Sequence, residues 1–238
     1  MSKHYLSVNY DGTIFEWSKD SKEGFVKHTN SAGKESFRKY FNKGVEGKLM
    51  WLNSKKNPNL HNREEVEVVL KAEDDTYYLN FVVYGQDNFV DIYTEKLITY
   101  LPKLEKGTVY NINNWFIKKG DTVNGNVAER NVKGITVKIA GTKIEPALTY
   151  QTDENPKGDI PALVWKEKQG KSIPTAASKE AKSDYLYEVL QANIERLKYD
   201  GNQADATSTP QQPSPAPQQA SEPQPQVAAK PKSDNLPF

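Results

Sequence analysis

Cysteine is absent from the 238 residues, so disulfides and thiolate metal sites are excluded. Histidine is nearly as scarce. His4, His28 and His61 are scattered without the spacing of metal ligands, and neither a metal nor any other cofactor is expected. No window approaches the roughly 18 apolar residues of a membrane span. The N-terminus MSKHYLSVNYDG lacks the charged stretch and apolar block of a secretory leader, so a soluble, cytoplasmic protein without membrane partners is expected. A phosphate-cradling glycine loop is missing too, because Gly120 to Gly125 lacks the Gly-Lys-Ser/Thr ending. Strong net charge is also wanting, at +1. The distribution is uneven: Lys19 to Arg63 is rich in Lys and Arg, and from Glu64 to Glu105 the acidic residues dominate, as in a molecule with one basic face.

What is present is organised around Thr76 to Gly107. Tyr77 to Tyr84 is a run of β-branched and aromatic residues that Gly85 ends. From Asp91 to Leu104 the period becomes helical, with Gly107 placed to stop the helix, and Val109 to Lys118 reads as the next strand. Upstream, Gly47 to Asn53 and Glu65 to Ala72 read as strands, separated by a polar loop at Ser54 to Asn62; downstream, Gly134 to Ile139 reads as the last strand, after a loop at Asp121 to Arg130. The order strand, strand, strand, helix, strand, strand is that of an oligonucleotide-binding (OB-fold) five-stranded barrel in a mainly β protein.

The barrel has additions. Tyr5 to Trp17 reads as an N-terminal β-hairpin around Asp11-Gly12, and Lys19 to Lys43 as a basic segment ordered only in part. Residues 1–146 thus form the barrel domain with its extension. Residues 147–200 combine a turn-rich segment, pinned by Leu163, Val164 and Trp165, with an amphipathic helix at Ser183 to Lys198. Ser183 or Asp184 is the expected cap, and the stripe Leu186, Val189, Leu190, Ile194 and Leu197 serves docking on its own domain, or else a partner or oligomer contact. Residues 201–232 are Pro- and Gln-rich, bury almost nothing and read as a disordered linker. Residues 233–238 end in Asp234, Asn235, Leu236, Pro237 and Phe238, a tip whose ring and α-carboxylate suit a partner's groove with a basic rim.

Three of these features resemble the bacterial and phage single-stranded DNA-binding proteins. Tyr78 to Gly85 (YLNFVVYG), a helix and then Lys106-Gly107-Thr108-Val109-Tyr110 are similar to that family's aromatic strand, helix and Lys-Gly-Ser-x-Val-Tyr segment. The linker and the tip resemble the other two. The resemblance covers about residues 45 to 140 plus the tail, and implies a non-enzymatic protein of a bacterial or phage-infected cell. It would coat single-stranded DNA in replication, recombination and repair, and recruit replication and repair proteins through Asp234, Leu236, Pro237 and Phe238. The first fifty residues and the helix from Ser183 have no counterpart there, and the tip has one Asp where the family has several, which suggests a diverged phage-type member.

Holding single strands without sequence preference needs flat rings for bases and cations for phosphates. A period of two puts Tyr78, Asn80, Val82 and Tyr84 on the candidate binding face and Tyr77, Leu79, Phe81 and Val83 in the core. Trp51 reads as either core or face. Trp115 and Phe116 cannot both face the strand in a regular ladder, and taking Tyr110 as outward sends Asn111 and Asn113 inward, so the choice stays open. Lys55, Lys56, Arg63, Lys118, Lys119 and Arg130 lie in or beside the flanking loops as expected phosphate contacts. Two other classes compete. A two-metal nuclease would draw on Asp74, Asp75, Asp87 and Asp91, and an adaptor would use the barrel for protein contacts.

Overall fold

The hairpin around Asp11-Gly12 forms as β1 (Ser2–Val8) and β2 (Ile14–Ser18), joined by a turn in which the Asn9 N–H donates to Thr13 O and Gly12 takes φ +79°. The computed structural model describes residues 1–30, 33–58 and 61–201; the expected linker from residue 202 onward and the tip lie outside them. The segment expected to be only partly ordered, Lys19 to Lys43, instead supplies β3 (Val26–Thr29) and β4 (Glu35–Tyr40), and β4 pairs with β2. Its Phe37, Tyr40 and Phe41 gain a sheet neighbour that composition alone does not reveal.

Next come β5 (Val45–Asn57), β6 (Arg63–Lys71), β7 (Asp75–Val82), α1 (Ile92–Ile98), β8 (Val109–Ile117) and β11 (Val132–Ile139), with a short β9–β10 hairpin (Thr122–Val123 and Asn126–Val127) between the last two. β5 is longer than expected. Asn57 still pairs with Arg63, so the polar stretch from Ser54 belongs mostly to a strand and not to a loop. The helix is shorter than expected. Asp91 caps it, accepting from the Tyr93 N–H at 2.9 Å, but Pro102 has no N–H for a longer helix, and after Ile98 the chain passes into a 3-10 turn at Leu101–Lys103.

All of these strands except β9 and β10, which pair only with each other, lie in one ten-stranded sheet, ordered β12-β11-β8-β5-β6-β7-β1-β2-β4-β3, where β12 is Thr142–Lys143. The sheet does not close. The free edge of β7, where the expected five-stranded barrel would be sealed, is taken by β1, which runs parallel to it with Tyr5 opposite Tyr78. His4 helps fix that junction, with Nδ1 2.9 Å from Glu16 on β2 and Nε2 3.2 Å from Asp75 on β7.

One face of the sheet carries the core. Leu6, Leu49, Leu52, Val68, Leu70, Leu79, Phe81, Tyr110, Ile112 and Val137 are buried together with Leu97, Ile98, Leu101 and Leu104 from the α1 region. The C-terminal helix α2 (Ala176–Leu197) adds Leu186, Leu190 and Leu197 to the same cluster, with Val189 and Ile194 half-buried against it. It starts about two turns earlier than expected. Thr175, not Ser183 or Asp184, is its cap, and the Ser183 hydroxyl instead accepts from the Val90 N–H at 3.1 Å. Near its other end Arg196 donates to Leu104 O (2.8 Å) and to Leu101 O (2.7 Å), the latter already accepting from the Leu104 N–H within the 3-10 turn. The 147–174 segment is pinned by the fully buried Ile160; Leu163 is only half-buried, and Val164 and Trp165 are exposed, Trp165 opening a hairpin of β13 (Trp165–Lys168) and β14 (Lys171–Pro174). No described helix is long and apolar enough to cross a membrane.

Candidate nucleic-acid interface

Along β7, Leu79 and Phe81 are buried while Tyr78, Asn80 and Val82 stay partly open, so the strand has one apolar and one wet face. Pairing carries the wet face across the sheet. Trp51 on β5 lies opposite Val69, Val69 opposite Tyr78 and Tyr78 opposite Tyr5. On β2, Trp17 lies one residue beyond Glu16, the partner of Leu6, and pairs with Arg38 on β4. Trp51, Tyr78, Tyr5 and Trp17 therefore form a row of rings on one face, ending at a guanidinium.

Trp51 owes its place to a bulge. The register shifts between Leu49 and Trp51, so Leu49 and Leu52 both point to the core and Trp51 turns outward, its ring meeting that of Tyr199 edge-on with centroids 5.0 Å apart. Tyr5 and Tyr78 stack on each other with centroids 4.8 Å apart. Tyr5 is 42% exposed and Trp17 49%. Burial first, and the nearby Glu67 charge, push the Tyr78 hydroxyl up; burial, Tyr78 and Glu67 do the same for Tyr5. Both phenols stay neutral at physiological pH.

A second row runs alongside: Glu67, Asn80, Ser7, Phe15 and Tyr40 are successive cross-strand partners. The Arg38 guanidinium lies 4.3 Å from the Phe15 centroid. Arg38 Nε and Asn80 Oδ1 are buried and have no hydrogen-bond partner among the described residues. The Asn80 amide nitrogen is occupied, donating to Leu6 O (3.0 Å) and Tyr78 O (3.1 Å). An unmet acceptor and an unmet donor beside the rings are what a base edge and a phosphate would engage.

No family model, curated protein or solved structure matches the chain.

Several residues singled out in the sequence stand elsewhere. Tyr84 leaves the row because β7 ends at Val82; it bridges to Val90 and its ring lies 5.6 Å from that of Tyr187 on α2. Lys55 is on β5 and not in a loop, and its ammonium is held by Glu67; Lys56 is on the same strand and exposed. On β8, Tyr110, Ile112 and Asn114 point inward and Asn111, Asn113 and Trp115 outward, the reverse of the count that took Tyr110 as outward, and the ladder there is regular. Trp115 is exposed and lies over Gly134, where a Cβ would come within 2.0 Å of the indole. Phe116, with inward parity, meets the Tyr10 ring edge-on at 6.1 Å. Lys118, Lys119 and Arg130 are exposed around the β9–β10 hairpin, on the β8–β11 side and not along the ring row. Arg63 is exposed at the start of β6 and lines a cavity.

Sequence reasoning missed Tyr5, Trp17, Phe15 and Arg38. Parity within the first hairpin could have placed Tyr5 on the face away from Leu6, but nothing local shows that β1 lies beside β7. Three of the four carboxylates considered for a nuclease are otherwise engaged: Asp91 caps α1, Asp87 pairs with Lys179 at 3.1 Å and Asp75 meets His4. Among the described residues no group of three or more His, Asp or Glu side chains could hold a metal ion.

Proposed function

We propose that the protein binds single-stranded DNA, laying unpaired bases on the ring row while cations at its margins meet the phosphates. The observation that carries this reading is the shared face of Trp51, Tyr78, Tyr5 and Trp17, closed at one end by Arg38. Flat neutral rings accept any base, and each can contribute about 1–3 kcal/mol by stacking. No nucleophile or proton transfer is required. On this reading β5, β6, β7, α1, β8 and β11 are an OB-fold element set, with sheet order β11-β8-β5-β6-β7, in which the N-terminal extension replaces the sealing contact and widens the binding face. The tip at 233–238 would recruit replication and repair partners, leaving the sheet free for the strand.

Titration with oligo(dT) followed by tryptophan and tyrosine fluorescence tests this. Quenching on binding, affinity that falls steeply with salt and weak competition by duplex are expected. Absence of binding in dilute buffer overturns the reading and leaves a protein-binding role for the sheet.

A further inference from the structure

A cavity of about 640 Å³ opens where the end of β7 meets the β1–β2 turn, the 85–90 turn, β11 and α2. That is a usual volume for a small-molecule site. Its charges are unevenly matched. Asp87 is paired with Lys179 at 3.1 Å and Glu95 with Lys182 at 2.9 Å, while Asp91 caps α1 and keeps its charge in the cavity wall. The two remaining cations, Arg63 and Lys133, make no ion pair with a carboxylate among the described residues. Lys133 sits instead on π faces, its ammonium 3.4 Å from the Tyr10 centroid and 5.2 Å from that of Tyr93. Burial also lowers its pKa, with Asp91 and Asp11 acting in the opposite sense. Asp91 and Asp11 act on Lys133 from beyond ion-pair distance, so a ligand anion would be its first direct ionic partner among the described residues.

We infer that this cavity takes one nucleotide unit, its phosphate on Lys133 and Arg63 and its base against Tyr10 and Phe89. Both rings lie in the cavity wall, Tyr10 largely exposed and Phe89 half-buried; each already carries an ammonium, Lys133 on Tyr10 and Lys179 4.9 Å from the Phe89 centroid, so a base meets them as the phosphate draws those cations off the rings. A neutral sugar would leave the two cations unmatched, and an aliphatic acid would leave the rings unused. The choice of a nucleotide over another aromatic anion rests on the single-strand reading. Val82 belongs to the same face as Tyr78 and also lines the cavity, so a strand lying on the ring row has a way in.

Amide chemical shifts of the full chain, titrated with thymidine 5′-monophosphate, thymidine, inorganic phosphate and oligo(dT), test the assignment. The monophosphate is expected to move the amides of Tyr10, Phe89 and Lys133 at millimolar concentration, and to bind about tenfold more tightly than thymidine or phosphate alone, a difference of about 1.4 kcal/mol. Lys133→Ala should abolish those shifts. Arg63→Ala, a change at an exposed side chain, should weaken them and serves if the first variant does not fold. Oligo(dT) moving the same amides identifies a nucleotide of the bound strand as the occupant; shifts with the monophosphate alone identify a free nucleotide. The Tyr5→Ala/Trp17→Ala variant should lose oligonucleotide affinity and keep the monophosphate shifts, so the two proposals fail separately. The assignment is overturned if the monophosphate moves none of these amides, or if phosphate alone reproduces the effect at equal affinity.

Discussion

Trp51 is turned outward by a single extra residue, and much of the site depends on placements of that size. Tyr5 and Trp17 should be worth as much as Tyr78. Replacing either by Ala is expected to cost about 1–3 kcal/mol of oligonucleotide affinity with little change in thermal stability, since both lie outside the buried core, as read by fluorescence titration beside a melting curve. Tyr84→Ala should barely affect binding. Its hydroxyl has another consequence: burial first, then Tyr187, Glu64 and Asp184, push it up to about 12 from 10.0. A phenol raised in the fold contributes stability that is whole below the unfolded value and is lost as pH climbs from about 10 to 12. Tyr84→Phe should therefore flatten the alkaline fall of the melting temperature over that window. An unchanged slope would place the titrating group elsewhere.

Elements act through their ends. The Asp91 cap starts α1, so Asp91→Ala is expected to cost about 1 kcal/mol in urea unfolding. The β1–β2 turn is tighter still. At Gly12 φ is +79° and an added Cβ would stand 2.6 Å from Tyr93 Oη, so Gly12→Ala combines a left-handed backbone, costing about 1–2 kcal/mol, with a clash. Loss of stability there with oligonucleotide binding still measurable would mark the turn as support and not contact. The elements that local pattern identifies well are those with both periodicity and punctuation: β6, β7, the start of α1 and the first hairpin. Those it misjudges are β3 and β4, whose strand character depends on pairing with β2, and α2, whose polar first two turns hide its start behind Thr175.

For the whole molecule, phosphate neutralisation should show as a log–log dependence of affinity on salt, with a slope of about −2 if some three phosphates are met on a single strand. A flat dependence would mean that the rings act without the cations. Removing residues 233–238 should spare that affinity and abolish capture of replication partners in a pull-down, an outcome that separates strand from partner binding.

The sequence by itself determined that β7 would have a wet and an apolar face, because alternation is written into consecutive residues. It likewise excluded disulfides and thiolate ligands, because the sequence has no cysteine. Which rings share a face was decided only by the tertiary structure. Tyr5 and Tyr78 are far apart in the chain, and only the parallel seating of β1 on the open edge of β7 brings them together. The same seating leaves the sheet unclosed, and neither periodicity nor spacing encodes which strand wins a free edge; that depends on long-range pairing and on contacts such as His4 between Glu16 and Asp75.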